Sequence, residues 1–187
     1  MNNVFSLRRF TQLFVSHSVA NYRMYLMSFS VLMGILFLGM VYAASLNKFY
    51  LSGSTRHMFF TILLFFGGAL FTTGIFSHLG DKRKAIAYLM LPASNFEKLL
   101  VAWIYSLIIF PLLYTIGFYI VDFLLLTMSK RAFDQSGIMN FGEQFRYRTV
   151  LLSFAWIHSV AIFGAVFFRK MHFIKTAFSI FVLITIV

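Results

Sequence analysis

Few side chains in this sequence can do chemistry, so their placement decides what they could do. There are five histidines: His17, His57, His78, His158 and His172. His57 and His78 stand at opposite ends of one apolar run, about 30 Å apart on a helix rising 1.5 Å per residue, so they cannot share a metal ion. His158 falls in the middle of another run, beside Trp156 and Ser159. An ionisable group inside a membrane helix is a candidate functional residue by default, while a neutral imidazole bonded to a neighbouring helix is the simpler account. Asp122 is an acid inside an apolar run, and with Tyr114 and Tyr119 it forms the polar cluster an embedded enzyme would have to use. The sequence contains no paired acids, no serine–histidine nucleophile motif and no metal-ligand spacing, so enzyme chemistry is the weakest of three readings. No Gly-x-x-x-x-Gly-Lys occurs, so the chain does not bind ATP in the P-loop manner, and no cofactor is expected within it.

The elements that carry these residues are set by composition. Of 187 residues, 60% are hydrophobic and only 11% are charged, whereas a globular domain is charged at about a quarter of its positions. Lipid must therefore be part of the solvent. There are no cysteines, which excludes a disulfide framework and thiolate metal sites. The net charge of +11 would suggest nucleic acid in a soluble protein. Here the basic residues lie between apolar runs, so anionic lipid head groups and membrane topology explain them and no nucleic-acid partner is expected.

Crossing the hydrocarbon core takes about 20 residues, and the sequence offers about five apolar runs. They are Met24–Ala44, His57–His78, Phe96–Met128, Thr149–Phe168 and an incomplete one at Thr176–Val187. Backbone groups in lipid must be bonded within the segment, so each run is predicted helical despite its many phenylalanines. The expected fold is an all-α polytopic helical bundle. The short last run suggests a piece of a longer sequence. Before the first run, Asn3–Arg23 sets Leu7, Phe10, Leu13 and Phe14 on one helical face, with Arg8, Gln12 and Ser16 opposite, the pattern of an interfacial helix. Val41-Tyr42-Ala43 loosely fits a signal cleavage site, but the preceding run is too long for a signal core of about 7–15 residues.

Lys and Arg set orientation. With the N-terminus inside, Arg8, Arg9, Arg23, Lys82, Arg83, Lys84, Lys98, Arg169, Lys170 and Lys175 are cytoplasmic, against Lys48, Arg56, Lys130, Arg131, Arg146 and Arg148 outside. The larger set clusters at span ends, so a cytoplasmic N-terminus is expected. As one helix, Phe96–Met128 would be about 50 Å long, and Pro111 should kink it. Asp122 then lies near the outer interface, facing a water-filled path or, more simply, reaching the head groups. Gly67 and Gly74 are seven apart and share a face, and Gly68 with Thr72 makes a small-xxx-small pair. This predicts a close packing seam, within one chain or between two.

The loop between the second and third runs, 79–95, is the most informative segment. Asp81 can cap a short helix in which Ile86 and Met90 share a face, as do Ala85 and Leu89. Pro92 lacks an N–H and pushes Leu91 out of the helical region, which ends it. Ser94-Asn95-Phe96-Glu97 then reads as a capping box that opens the third span. A short rigid helix in this position can transmit motion from a cytoplasmic partner, or it can be a passive interfacial linker.

Leu91-Pro92-Ala93-Ser94, followed by Lys98 and a long apolar helix, resembles the corresponding loop of type-2 ATP-binding-cassette exporter permeases. The resemblance also covers a cytoplasmic N-terminus and an elbow helix before the first span. It implies the transmembrane subunit of an exporter in a bacterial inner membrane. It further implies a separate cytoplasmic ATPase that holds the ATP and Mg, and a second permease chain that completes the path. Lys82, Arg83, Ile86, Leu89, Met90, Leu91, Pro92 and Ser94 would then couple the chain to the ATPase, with Asp122 and His158 as pathway candidates. The family has six spans, where this sequence offers four and part of a fifth. Leu51-Ser52-Gly53-Ser54 is similar to an ATPase signature but reads as a turn in a short outer loop. A structural or assembly subunit of a larger membrane complex is the remaining alternative.

Overall fold

The computed structural model describes residues 5–46, 52–80, 93–128, 147–168 and 175, with 77–80 as backbone only. They form helices: α1 (Leu7–Leu46), α2 (Gly53–Gly80), α3 (Asn95–Met128) and α4 (Tyr147–Phe167). All four are long and apolar enough to cross a membrane, and no strand occurs among the described residues. The chain is an all-α polytopic bundle. The fifth run, Thr176–Val187, and the coupling positions Lys82, Arg83, Ile86, Leu89, Met90, Leu91 and Pro92 lie outside the described residues.

Burial follows lipid rather than water. Trp156 is 78% exposed and Met128 75%, while Arg56, Glu97, Lys98 and Asp122 are at most 2% exposed. In water such exposed apolar surface would be costly at about 25 cal/mol per Å²; against lipid it costs nothing, and charges are what must be hidden.

The first helix departs from the sequence reading. No break occurs near Arg23: the expected interfacial helix and first span are one unbroken helix of 40 residues. No proline or glycine stands between Leu7 and Gly34, so the backbone has no reason to stop where the side-chain pattern changes. The apolar residues of the early turns are also used within the chain, with Phe14 stacked on Tyr105 at 4.9 Å.

Starts and bends are set locally. The Ser52 carbonyl accepts the Arg56 N–H at 3.1 Å as α2 begins, and the Ser52 hydroxyl meets that of Ser54 at 2.9 Å, so Ser52–Ser54 runs into a helix start. In α3, Tyr105–Ile109 is a π-turn, with the Phe110 N–H bonded to the Tyr105 carbonyl. Pro111 follows directly. It has no N–H to give an α-helical bond, and the wider turn accommodates the gap. The kink expected at Pro111 therefore takes the form of an inserted turn just before it.

The chain divides into two compact units. One contains the chain up to Tyr22, Gly68–Phe110 and the chain from Ala155; the other contains Arg23–Gly67 and Pro111–Phe154. In the second unit, glycines let α1 approach its neighbours. A Cβ on Gly67 would stand 3.0 Å from Leu32 Cδ1, and one on Gly117 would stand 2.6 Å from Met33 Sδ and 2.9 Å from Phe29 Cζ. The seam at Gly67 is thus internal. Gly74, placed on the same face by sequence, is exposed, and a Cβ there would meet nothing within 4 Å. Gly67→Leu should therefore lower the stability of the detergent-solubilised protein by about 1–3 kcal/mol, the usual range for overpacking. Gly74→Leu should leave it unchanged. Thermal unfolding of the two variants checks the contrast, and equal effects would contradict it.

Candidate functional site

In the first unit the site is built around one carboxylate. Ser94 is the N-cap of α3, in extended conformation at φ −68° and ψ 151°. Its hydroxyl accepts the Glu97 N–H at 3.2 Å, and its own N–H donates to Glu97 Oε2 at 2.9 Å. This is the capping box read from the sequence. Glu97 does more than that reading assigned to it. Its Oε1 accepts the Ser6 N–H at 2.7 Å, at the start of α1, and lies 3.4 Å from an Arg9 guanidinium nitrogen. One buried side chain therefore satisfies backbone donors at the starts of two helices. Each start carries the positive end of a helix dipole, which favours an anion. Lys98, the next residue, is 2% exposed.

Along α3, the π-turn presents two consecutive residues to two different helices. Tyr105 OH is hydrogen-bonded to Ser18 Oγ of α1, and its ring stacks on Phe14 and lies 5.0 Å from the His17 ring. Ser106 Oγ is 2.7 Å from His158 Nε2 of α4. That hydroxyl has one proton, and the Ala102 carbonyl at 2.8 Å takes it. With the hydroxyl proton on that carbonyl, Nε2 donates to Ser106, and the contact ties α3 to α4. His158 is 1% exposed and bonded to a neighbouring helix.

In the second unit, Asp122 does not reach outward to head groups. Its residue exposure is 0%, and it pairs with Arg56 of α2 at 3.1 Å, the Arg56 Nη1 reaching both carboxylate oxygens. Elsewhere on α3, Tyr114 donates to the Phe60 carbonyl at 3.1 Å, and the Phe60 ring meets the Phe118 ring edge-on at 5.0 Å. Thr115 Oγ1 and Tyr147 OH are 3.2 Å apart, joining α3 to α4.

Of the predicted positions, the structure places Ser94 in its cap, Gly67 in an internal seam, and Asp122 and His158 in separate units. Sequence reasoning missed Arg56 as Asp122's partner by assigning it to the outer loop. The available signal was that an acid inside one apolar run needs a cation, and Arg56 stands at the edge of another. It also missed Ser6, Arg9, Tyr105 and Ser106, for which sequence spacing gives no cue. Among the described residues no group of three or more His, Asp or Glu could hold a metal.

Compared with protein-family models, curated proteins and solved structures, the chain has no match in any of the three.

The Glu97 cluster has a directional test. Ser94→Ala should cost about 1 kcal/mol, as a lost N-cap does, and leave the Ser6 amide protected from hydrogen exchange. Glu97→Ala should destabilise more and deprotect that amide. Exchange measured by mass spectrometry over the first turns of α1 checks this; equal protection in both variants would remove Glu97 from the α1 start.

Proposed function

We propose that the chain is a transmembrane permease subunit of an ATP-driven exporter, coupled to a separate cytoplasmic ATPase through the loop after its second span. The observation that carries this reading is the Glu97 carboxylate, which joins the start of α1 to the start of α3 directly after that loop. A push delivered at Lys82–Leu91 meets Pro92, then a capped helix start, and through Glu97 the α1 start as well. Motion imposed there moves two helices together instead of being lost in a flexible joint.

On this reading Ile86, Leu89, Met90 and Leu91 supply the apolar face that enters a groove of the ATPase, and Lys82 and Arg83 flank it. Pro92 and Ser94 keep that helix rigidly joined to α3. The partner ATPase carries ATP and Mg, and a second permease chain, identical or similar, completes the path. The membrane is a bacterial inner membrane, with the N-terminus in the cytoplasm and the basic span ends against anionic head groups.

Affinity capture of the tagged chain from its native membrane tests this. A stoichiometric P-loop ATPase should accompany the wild type, and Ile86→Glu should remain inserted and abundant while losing it. A wild type that captures no ATPase would overturn the exporter reading and favour a structural subunit. Normal capture by Ile86→Glu would move the coupling surface elsewhere.

A further inference from the structure

The contact between α2 and α3 in the second unit includes an ion pair where apolar side chains would pack as well. The side chains of Arg56 and Asp122 are 2% and 1% exposed, with nitrogen and oxygen 3.1 Å apart. Withdrawing two charges from water is expensive, and their attraction offsets that cost only with good geometry. Arg56 has a second disadvantage. It lies in the first turn of α2, three residues after Gly53, where the helix dipole disfavours a cation. Asp122 makes the position tolerable.

An alternative arrangement lies close by. The helix start at Gly53 is about 5 Å away along the axis, and an arginine can lay its stem on apolar surface while its head reaches water. With Asp122 removed, a side chain of this length could reach past the helix start towards water. Deeper in the same seam, the contacts are neutral. Tyr114 holds the Phe60 carbonyl at 3.1 Å, and Phe60 packs on Phe118. These do not depend on charge and remain when the pair parts.

We propose that the Arg56–Asp122 pair is a latch that holds the Gly53 end of α2 against α3, and that its release opens this end of the seam as far as the Tyr114–Phe60 contact. The latch depends on the helical bundle and stands apart from the exporter reading.

The test uses the absence of native cysteines. Leu126, 1% exposed and one turn beyond Asp122, becomes the reporter as Leu126→Cys in the full chain in lipid nanodiscs. Its labelling by a charged maleimide should be slow with the pair intact. It should speed up about ten-fold or more in Asp122→Asn and in Arg56→Gln, since breaking a buried pair is strongly unfavourable. The exchanged pair Arg56→Asp with Asp122→Arg should return it towards the slow rate. A second reporter, Ala165→Cys in α4, 0% exposed, should stay shielded in every variant. Unchanged labelling of the Leu126 reporter in the single variants, or an exchanged pair as fast as they are, would overturn the latch. Exposure of the Ala165 reporter would also overturn it, because the pair would then hold the whole fold rather than one end.

Discussion

A charge or an open helix end that faces lipid has no water to turn to, and this chain answers that constraint with its own side chains. Glu97 shows the same economy at the helix starts, where its Arg9 partner is 40% exposed. A helix start leaves several N–H groups unbonded, and α1 and α3 both begin beside this one carboxylate. Two oxygens receive a backbone N–H from each helix start and the Arg9 charge besides. The same logic governs Arg56 with Asp122, Ser106 with His158, and Tyr114 with the Phe60 carbonyl. Apolar side chains are left to cover the outside, and Trp156 and Leu152 do so without penalty.

What could be read from the sequence was what depends on neighbours along the chain. Long apolar runs dictate helices, because the backbone must bond within its own segment. Ser94 and Glu97 stand three apart before such a run, and that spacing alone specifies a capping box. Pro111 announces a disturbance in α3. What could not be read depends on which helix lies beside which. Asp122 needed a cation, yet periodicity does not say that Arg56, 66 residues earlier, would supply it. Glu97 kept one oxygen free of its own cap, and only the fold brings Ser6 to it. The uninterrupted α1 was hidden for a different reason. A change from amphipathic to uniformly apolar patterning suggests a boundary, but the peptide backbone responds to glycine, proline and capping groups, and Tyr22-Arg23-Met24 contains none.

The two kinds of polar contact differ in how they answer force. The Glu97 cluster uses backbone donors at fixed helix starts, so it resists separation of α1 and α3. The Arg56–Asp122 pair joins two side chains, one of which is long and has a short way to water. Stiffness where α3 begins is what the proposed coupling to an ATPase would use, while the proposed latch near Gly53 depends on the bundle alone.

Everything in this mechanical picture depends on the starts of α1 and α3 being joined. The double variant Ser6→Cys with Ser94→Cys, in a chain that has no cysteine of its own, measures that joint directly. Both backbone nitrogens lie within hydrogen-bond distance of the same carboxylate. Oxidation in the native membrane, followed by mass spectrometry of the digested chain, should recover an intramolecular disulfide between positions 6 and 94 in high yield. If each introduced thiol can be labelled singly but the two never cross-link within one chain, the helix starts are apart and Glu97 does not join them.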